Sequence, residues 1–211
     1  MEITIEGEKL LLSAEKIIFW QKKRTLLLSD LHFTKDAHFR KHAIAVPSNL
    51  TENTLKRLSF VMSLFDPMDV IILGDMFHSD INEGVILVKN WIKRYNNTCF
   101  KLVHGNHDVF DNDVYEQLGI ELCGMNLTLG RFQLSHEPLK KPSSLNICGH
   151  IHPAVRLRGK ARQSLYLPCF YFSGLHLVLP SFGEFTGSKA IVAKKADKIY
   201  AIADQKVIEV M

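Results

Sequence analysis

Three short apolar runs, each followed at once by polar residues, constrain this chain more than any other feature. They span residues 25–29 (TLLLS), 70–73 (VIIL) and 99–103 (CFKLV). Short, largely apolar runs predict strands that are buried on both faces of a sheet. In open α/β sheets, ligand sites form where loops leave the carboxyl ends of strands. The sequence therefore predicts that the polar residues after these runs meet at one edge of a sheet.

Helical periodicity separates the three predicted strands. Leu55, Leu58 and Met62 recur at helical spacing within residues 51–65, and a second helix is predicted over 83–95. The first 20 residues alternate as a strand meander, and after a short helix near 112–118 strand-like stretches dominate. This order predicts an α/β fold with two packed sheets and helices outside. Without a linker or repeat, residues 1–211 are expected to form a single domain.

Composition bears on the partners, the cysteine chemistry and the localisation that we expect for this chain. The formal net charge of +4 permits an anionic partner without demanding one. The four cysteines have no CxxC spacing, which gives no support to zinc-knuckle or thioredoxin-like sites. The N-terminus lacks a signal-peptide pattern, and no apolar run approaches the roughly 18 residues needed to span a bilayer. We therefore expect a cytoplasmic protein with free thiols.

Five polar clusters follow predicted strands and share one chemistry. They are Asp30-x-His32, Gly74-Asp75, Gly105-Asn106-His107-Asp108, Ser135-His136-Glu137 and Gly149-His150-x-His152. Carboxylate, imidazole and amide ligands suit Mn, Fe or Zn. Taken singly, a DxH or GD dipeptide is usually a turn, and an HxH pair is more often structural. All five together, each after an apolar strand, predict a metal centre.

The ordered set DLH, GD, GNHD, HE and GHIH resembles the calcineurin-like metallophosphoesterase superfamily over residues 26–152. The resemblance implies an αββα sandwich built from two sheets. Further stretches at 37–47, 73–79, 149–170 and 179–187 resemble the ligase-associated DNA damage response endonuclease family PdeM. That narrower resemblance extends over nearly the whole chain.

The resemblance implies two divalent metal ions, with Mn expected and Fe, Zn, Ni or Co also compatible with the ligands. Asp30, His32 and His152 would hold the first ion. Asn106, His136 and His150 would hold the second, and Asp75 would bridge both. The chemistry agrees, since two cations about 3.5–4 Å apart can activate a shared water and clamp a phosphate for in-line attack.

Two further residues of the GNHD cluster receive roles outside the metal shell. His107 is expected beside the phosphate, as a proton donor to the leaving oxygen or a stabiliser of the transition state. Asp108 would orient His107 by accepting its other ring N–H. The plainer interpretation of Asp108 is a turn cap.

The substrate is less constrained than the chemistry. If residues 155–157 form a strand, Arg156 and Arg158 point the same way, and Arg40 could grip a phosphate bidentately. A basic rim suits a polyanionic strand, which the resemblance identifies as DNA, although a solvated charged face fits the composition equally well. Few exposed-looking aromatic residues lie among these charges, so no stacking platform is predicted. The rim and the histidines with open roles are Lys140, Lys141, Lys160, Arg162, His38, His42 and His78.

Three functions remain at this point. The leading hypothesis is a Mn-dependent phosphodiesterase, a DNA endonuclease of DNA repair that uses a metal-bridging hydroxide. The resemblance implies association with a DNA ligase and a helicase. The second hypothesis assigns the same centre a small substrate, such as a cyclic nucleotide, a dinucleotide or a phosphomonoester. The third is a non-catalytic protein-binding scaffold, which would not need His107. The sequence leaves the oligomeric state open, with a homo-oligomer compatible.

Overall fold

A computed structural model describes residues 1–35, 49–78, 82–159 and 163–211. Two β-sheets pack face to face, and the three α-helices of the described residues cover the outer face of the first sheet. The predicted α/β class and two-sheet sandwich are confirmed. None of the described helices is long and apolar enough to cross a membrane.

The first sheet contains seven strands in chain order. They are β1 (Glu2–Ile5), β2 (Glu8–Ser13), β3 (Ile17–Trp20), β4 (Thr25–Leu28), β5 (Asp69–Leu73), β6 (Cys99–Val103) and β7 (Ile120–Leu122). Strands β1 to β4 form an antiparallel meander, and β4 to β7 run parallel. Parallel neighbours need long crossover connections. These contain the helices α1 (Leu50–Phe65), α2 (Glu83–Ile92) and α3 (Asn112–Leu118), while a 3-10 helix (Gln21–Lys23) joins β3 to β4.

The second sheet is mixed and contains nine strands. They are β8 (Asn126–Leu129), β9 (Phe132–Ser135), β10 (Leu145–Cys148), β11 (Pro153–Arg158), β12 (Ser164–Ser173), β13 (His176–Val178), β14 (Lys189–Ala190), β15 (Lys198–Ala203) and β16 (Lys206–Glu209). Strand β10 lies parallel to both β9 and β13. The carboxyl ends of β9 and β10 therefore face the same way.

Alternation along the central strands explains why the first sheet is buried on both faces. Leu26 and Leu28 of β4 face the helices, whereas Leu27 faces the second sheet. In β5, Ile72 faces the helices and Ile71 faces the second sheet. Successive side chains of a strand point to opposite faces, so a strand between two layers must be apolar throughout.

The structure differs from the sequence prediction mainly in short elements. Strands β7 and β8 were not predicted, because each is only three or four residues long and carries polar side chains. The second helix ends at Ile92 rather than at residue 95. There, Arg94 and Tyr95 donate backbone hydrogen bonds to carbonyls three residues earlier, as in a 3-10 turn.

A buried carboxylate joins the end of β12 to the start of β15. Asp197 accepts hydrogen bonds from Ser173 Oγ (2.6 Å), Tyr171 OH (2.7 Å) and the Lys194 backbone N–H (2.7 Å). These hydrogen bonds, from Ser173, from the Lys194 amide and from Tyr171, lower the pKa of Asp197 below its ordinary value. A lowered carboxyl pKa stabilises the fold above the unfolded-state pKa, and this stabilisation is lost as the pH falls through the folded-state pKa.

Replacing Asp197 by Asn should therefore lower the melting temperature at pH 7 by about 2–8 °C, because charge-assisted hydrogen bonds are lost. The difference from wild type should shrink as the pH is lowered to 3. Thermal unfolding followed by circular dichroism measures both effects. The control, Asp204→Asn, lies in an exposed turn and should match wild type. An equal deficit at both pH values would contradict this account.

Candidate metal centre

The five polar clusters meet at the seam between the two sheets. Those after β4, β5 and β6 belong to the first sheet, and those after β9 and β10 belong to the second. Because the parallel strands of each sheet end at one edge, their loops converge there. Asp30, Asp75 and His136 are buried, with at most 3% of their surface exposed. Buried carboxylates and imidazoles at such a seam need partners of opposite charge.

The backbone at five of the candidate ligands lies in the left-handed region. The φ angles are 56° at Asp30, 47° at His32, 52° at Asp75, 65° at His150 and 50° at His152. This conformation is unfavourable for L-residues, although Asp and His adopt it more readily than most. Such strain concentrates at functional sites. The side chains of Asp30 and His32, and those of His150 and His152, therefore converge through left-handed turns and not through strand alternation.

Asp30, His32 and His152 form a first group of ligand atoms, all within 4.8 Å of one another. His152 Nε2 lies 3.0 Å from Asp30 Oδ1. The other ring nitrogen, Nδ1, lies 3.1 Å from the carbonyl oxygen of Thr186. A carbonyl can only accept, so Nδ1 donates to Thr186, and Nε2 is the ring atom that a cation beside Asp30 could bind.

Buried polar atoms without a hydrogen-bond partner indicate whether a cation fits this group. Asp30 Oδ1 and His32 Nε2 are buried without a hydrogen-bond partner among the described residues. Burial lowers the pKa of His32 to about 3, against the opposing charges of Asp30 and Asp75. A neutral imidazole and a carboxylate with free lone pairs are the state that binds a divalent cation. The residues present fit a metal ion.

A second group forms around Asp75, His136 and His150. His136 Nδ1 donates to the carbonyl oxygen of Leu73 (2.9 Å). Its Nε2 lies 3.4 Å from Asp75 Oδ1 and 3.1 Å from His150 Nδ1. Atoms of Asp30, Asp75 and His136 also lie within 4.8 Å of one another. The two groups therefore share the carboxylate of Asp30.

The electrostatics of the second group show an excess of negative charge. Burial lowers the pKa of His136, but the hydrogen bond to Asp75 and the charges of Asp30 and Asp75 outweigh it and raise this pKa to about 9. Burial raises the pKa of Asp75, but its contacts with His136 and the His107 amide outweigh this and hold it below its ordinary value. Bound cations would replace the His136 proton as the balancing charge.

Asn106 is exposed at the rim of the centre, and a neighbour that the sequence did not single out fixes it. Its amide nitrogen donates to Glu137 Oε1 at 2.9 Å. The amide oxygen of Asn106 is thereby left as the atom that can bind a cation. Glu137 adjoins His136 in the same cluster, which was the only sequence signal for it.

The structure corrects the role expected for Asp108. Its carboxylate accepts backbone N–H groups of Asp75 and Met76 (both 2.8 Å) and of Gly105 (2.9 Å). In the described residues it makes no hydrogen bond to the His107 ring. Burial raises the pKa of Asp108, and the hydrogen bonds from the backbone amides offset only part of this rise. Asp108 therefore ties the loop after β5 to the loop after β6.

His107 lies over the first ligand group with its side chain exposed. Its backbone N–H donates to Asp75 Oδ1 (3.0 Å), and its ring centroid lies 5.5 Å from that of His32. His78, whose role the sequence left open, lies beside both rings. Its ring is 4.5 Å from His107, and its Nδ1 is 3.2 Å from His32 Nδ1. A substrate can therefore reach His107 beside the buried ligands.

The residues expected to bind substrate are only partly described. Arg40, His38, His42, Lys160 and Arg162 lie outside the described residues. Arg156 is exposed on β11, and the backbone of Arg158 ends that strand. Lys140 and Lys141 are exposed in the loop between β9 and β10.

Comparison with solved structures places the chain among known proteins. It superposes on the nuclease MPE of Pseudomonas putida with a TM-score of 0.84 and 32% identity, covering 99% of both chains. The chain belongs to the metallophosphoesterase superfamily. It lies in the same family as that nuclease and is a metal-dependent phosphoester hydrolase, so the non-catalytic scaffold hypothesis is wrong.

Two other similar structures are more distant. Protein AQ665 of Aquifex aeolicus matches 61% of this chain and 78% of its own length, at 21% identity and a TM-score of 0.44. The E. coli phosphoesterase Yfce matches 88% of this chain and 97% of its own length, at 14% identity and a TM-score of 0.47. No protein-family model matches the sequence, and no curated protein matches it closely.

Removing the Glu137 carboxylate should weaken metal binding without unfolding the protein. In Glu137→Ala, the Asn106 amide loses its partner, and such losses typically cost about 10- to 100-fold in metal affinity. Isothermal titration with Mn²⁺ measures the effect. Glu116→Ala, an exposed substitution on α3, should bind as wild type does. Unchanged affinity in Glu137→Ala would show that Asn106 needs no such support.

Gly105 should tolerate no side chain, because a Cβ there would overlap the backbone nitrogen and carboxylate of Asp75. Gly105→Ala should therefore displace Asp75 and abolish tight metal binding. The matched control is Gly159→Ala, whose Cβ would meet Gln163 atoms at 3.6 Å and no other atoms of the described residues within 4 Å. Metal content by mass spectrometry after dialysis separates the two variants. A metal-replete Gly105→Ala protein would refute this close approach.

Proposed function

We propose that the chain is a dinuclear-metal phosphodiesterase that cuts DNA. The observation that carries this proposal is the placement of Asp75 between two imidazoles. Its Oδ2 lies 3.7 Å from His32 Nε2, and its Oδ1 lies 3.4 Å from His136 Nε2. A carboxylate with one oxygen towards each group is suited to bridge two cations and offset their mutual repulsion.

The ligands divide between two ions, for which we propose Mn²⁺. Asp30, His32 and His152 would hold the first, and Asn106, His136 and His150 the second, with Asp75 shared. Bound there, the ions would lower the pKa of a water molecule and neutralise charge on the phosphate. Imidazole, carboxylate and amide ligands without thiolate suit this metal.

The remaining residues position the substrate and handle the proton. His107 is exposed beside the first ligand group, where a ring N–H can donate to the oxygen that leaves the phosphorus. Its backbone is fixed through Asp75 Oδ1. Asp108 holds the same loop against the loop after β5. The side chain of His107 can thus turn towards a phosphate while its main chain stays in place.

DNA is the proposed substrate for three reasons. The chain has a net charge of +4, and Arg156 is exposed on the strand that leaves the centre. Phosphate contacts of this kind position nucleic acids. The related Pseudomonas putida protein is a nuclease. We further propose a cytoplasmic role in DNA repair, alongside a DNA ligase and a helicase.

The test compares three substrates in the presence and absence of Mn²⁺: a supercoiled plasmid, a short oligonucleotide and bis(p-nitrophenyl) phosphate. Wild type should cleave all three, and only with a divalent cation. Asp75→Asn should lose both metal and activity. His107→Ala should keep its metal while its rate falls about 10²- to 10⁴-fold.

His176→Ala is the control, since His176 lies on β13 and its ring makes one hydrogen bond within the described residues, to the carbonyl of Leu139. It should retain the wild-type rate. Turnover of bis(p-nitrophenyl) phosphate with both nucleic acids intact would assign the centre to small substrates. Full activity in metal-replete His107→Ala would remove the proposed role of that residue.

A further inference from the structure

Strands β11 and β12 continue past their other neighbours in the second sheet as a two-stranded arm, which we define as residues 155–158 and 164–167. Strand β14 pairs with β11 only at Pro153 and Ala154. Arg156 is opposite Tyr166 in this pairing, and Leu157 is opposite Leu165. Strand β15 joins β12 only from Cys169 onwards. Ser164, Leu165 and Tyr166 are all exposed, so solvent reaches both faces of the arm.

One face of the arm combines an aromatic ring with a guanidinium group. The Arg156 Cζ atom lies 5.6 Å from the centroid of the Tyr166 ring, within the range of a cation–π contact. Arg156 Nη2 also approaches Ser164 Oγ at 3.5 Å. Tyr166 nevertheless keeps 50% of its surface exposed. The pair is therefore held in place without being buried.

The chain connects this pair directly to the metal centre. His152 immediately precedes β11, and Arg156 follows it by four residues. An extended strand rises about 3.3 Å per residue, which places Arg156 about 13 Å from His152. That is a distance at which a bound strand would present a nucleotide flanking the phosphate at the centre.

We propose that Tyr166 and Arg156 form a subsite for a flanking nucleotide, with a base stacked on the Tyr166 ring and a phosphate paired with the Arg156 guanidinium. The inference rests on the proposed nuclease function and deepens it. Nucleic acid matches both groups, because aromatic rings stack on any unpaired base and guanidinium binds phosphate. The arm thus supplies the stacking surface that the sequence did not predict.

The first test measures binding of a fluorescent oligonucleotide by anisotropy, without divalent cations so that the strand stays intact. Tyr166→Ala should weaken binding about 5- to 150-fold, the range for losing one stacked base. Tyr166→Phe keeps the ring and should bind close to wild type. Leu165→Ala is the matched control, since Leu165 is similarly exposed but points to the opposite face of the arm.

A second test locates the stacked base. An abasic residue is placed at each position of the oligonucleotide in turn. Wild type should lose affinity at one position near the cut, and Tyr166→Ala should lose nothing further there, because the same contact is already absent. Equal sensitivity of both proteins at every position would overturn the stacking contact.

Cleavage with Mn²⁺ separates this inference from the function on which it rests. Tyr166→Ala should raise KM for the oligonucleotide and leave turnover of bis(p-nitrophenyl) phosphate unchanged. If wild type cleaves neither substrate, the proposed function itself fails. If wild type cleaves both and Tyr166→Ala keeps the wild-type KM and affinity, only the subsite is refuted. A dimer that Tyr166→Ala and Leu165→Ala both dissociate, with oligonucleotide binding unaltered, would refute the subsite in favour of a protein interface.

Discussion

The structure depends on two buried carboxylates, Asp30 and Asp75, that hold loops of both sheets together. Asp30 Oδ2 accepts the backbone N–H of His150 (3.1 Å), which joins the loop after β4 to the loop after β10. The Asp30 carbonyl accepts Ser181 Oγ (2.9 Å) from the segment after β13. Asp75 Oδ1 accepts the His107 N–H (3.0 Å). Asp30 therefore fixes the loop that carries His150 and His152, and Asp75 fixes the loop that carries His107.

This arrangement couples the charge of the centre to its folding. Two buried carboxylates at the seam between the sheets are costly unless a positive charge lies between them. Without a bound cation, the protonated imidazole of His136 supplies that charge, because its pKa is raised. A cation that binds folded but not unfolded chain would stabilise the fold by mass action. The left-handed turns at the ligands add strain that the surrounding hydrogen bonds must offset.

The sequence predicted most of the first sheet because its signal is local. Strands β4 and β5 are apolar on both faces, and the polar residues that follow them stand out by contrast. The amide contacts of Asp108 join residues more than thirty positions apart, so no local pattern indicates them. Glu137 likewise acquires its function only through Asn106, 31 positions away. The sequence did not predict the left-handed turns, because Asp and His also occur in ordinary strands and helices. The metal and substrate roles of individual residues stay predictions.

The ligands of the metal centre and the proposed nucleotide subsite lie in different kinds of structure in this chain. The ligands of the centre are mostly buried, and Gly105 and Gly149 leave no room for a Cβ beside Asp75 and Asp30. A substitution there disturbs several loops at once. The arm is exposed where the ligands are buried, since solvent reaches the side chains of both Tyr166 and Arg156. Exposed residues of the arm can therefore change without moving the ligands. A phosphoesterase built in this way can change how tightly it binds a flanking nucleotide while it keeps the bond that it breaks.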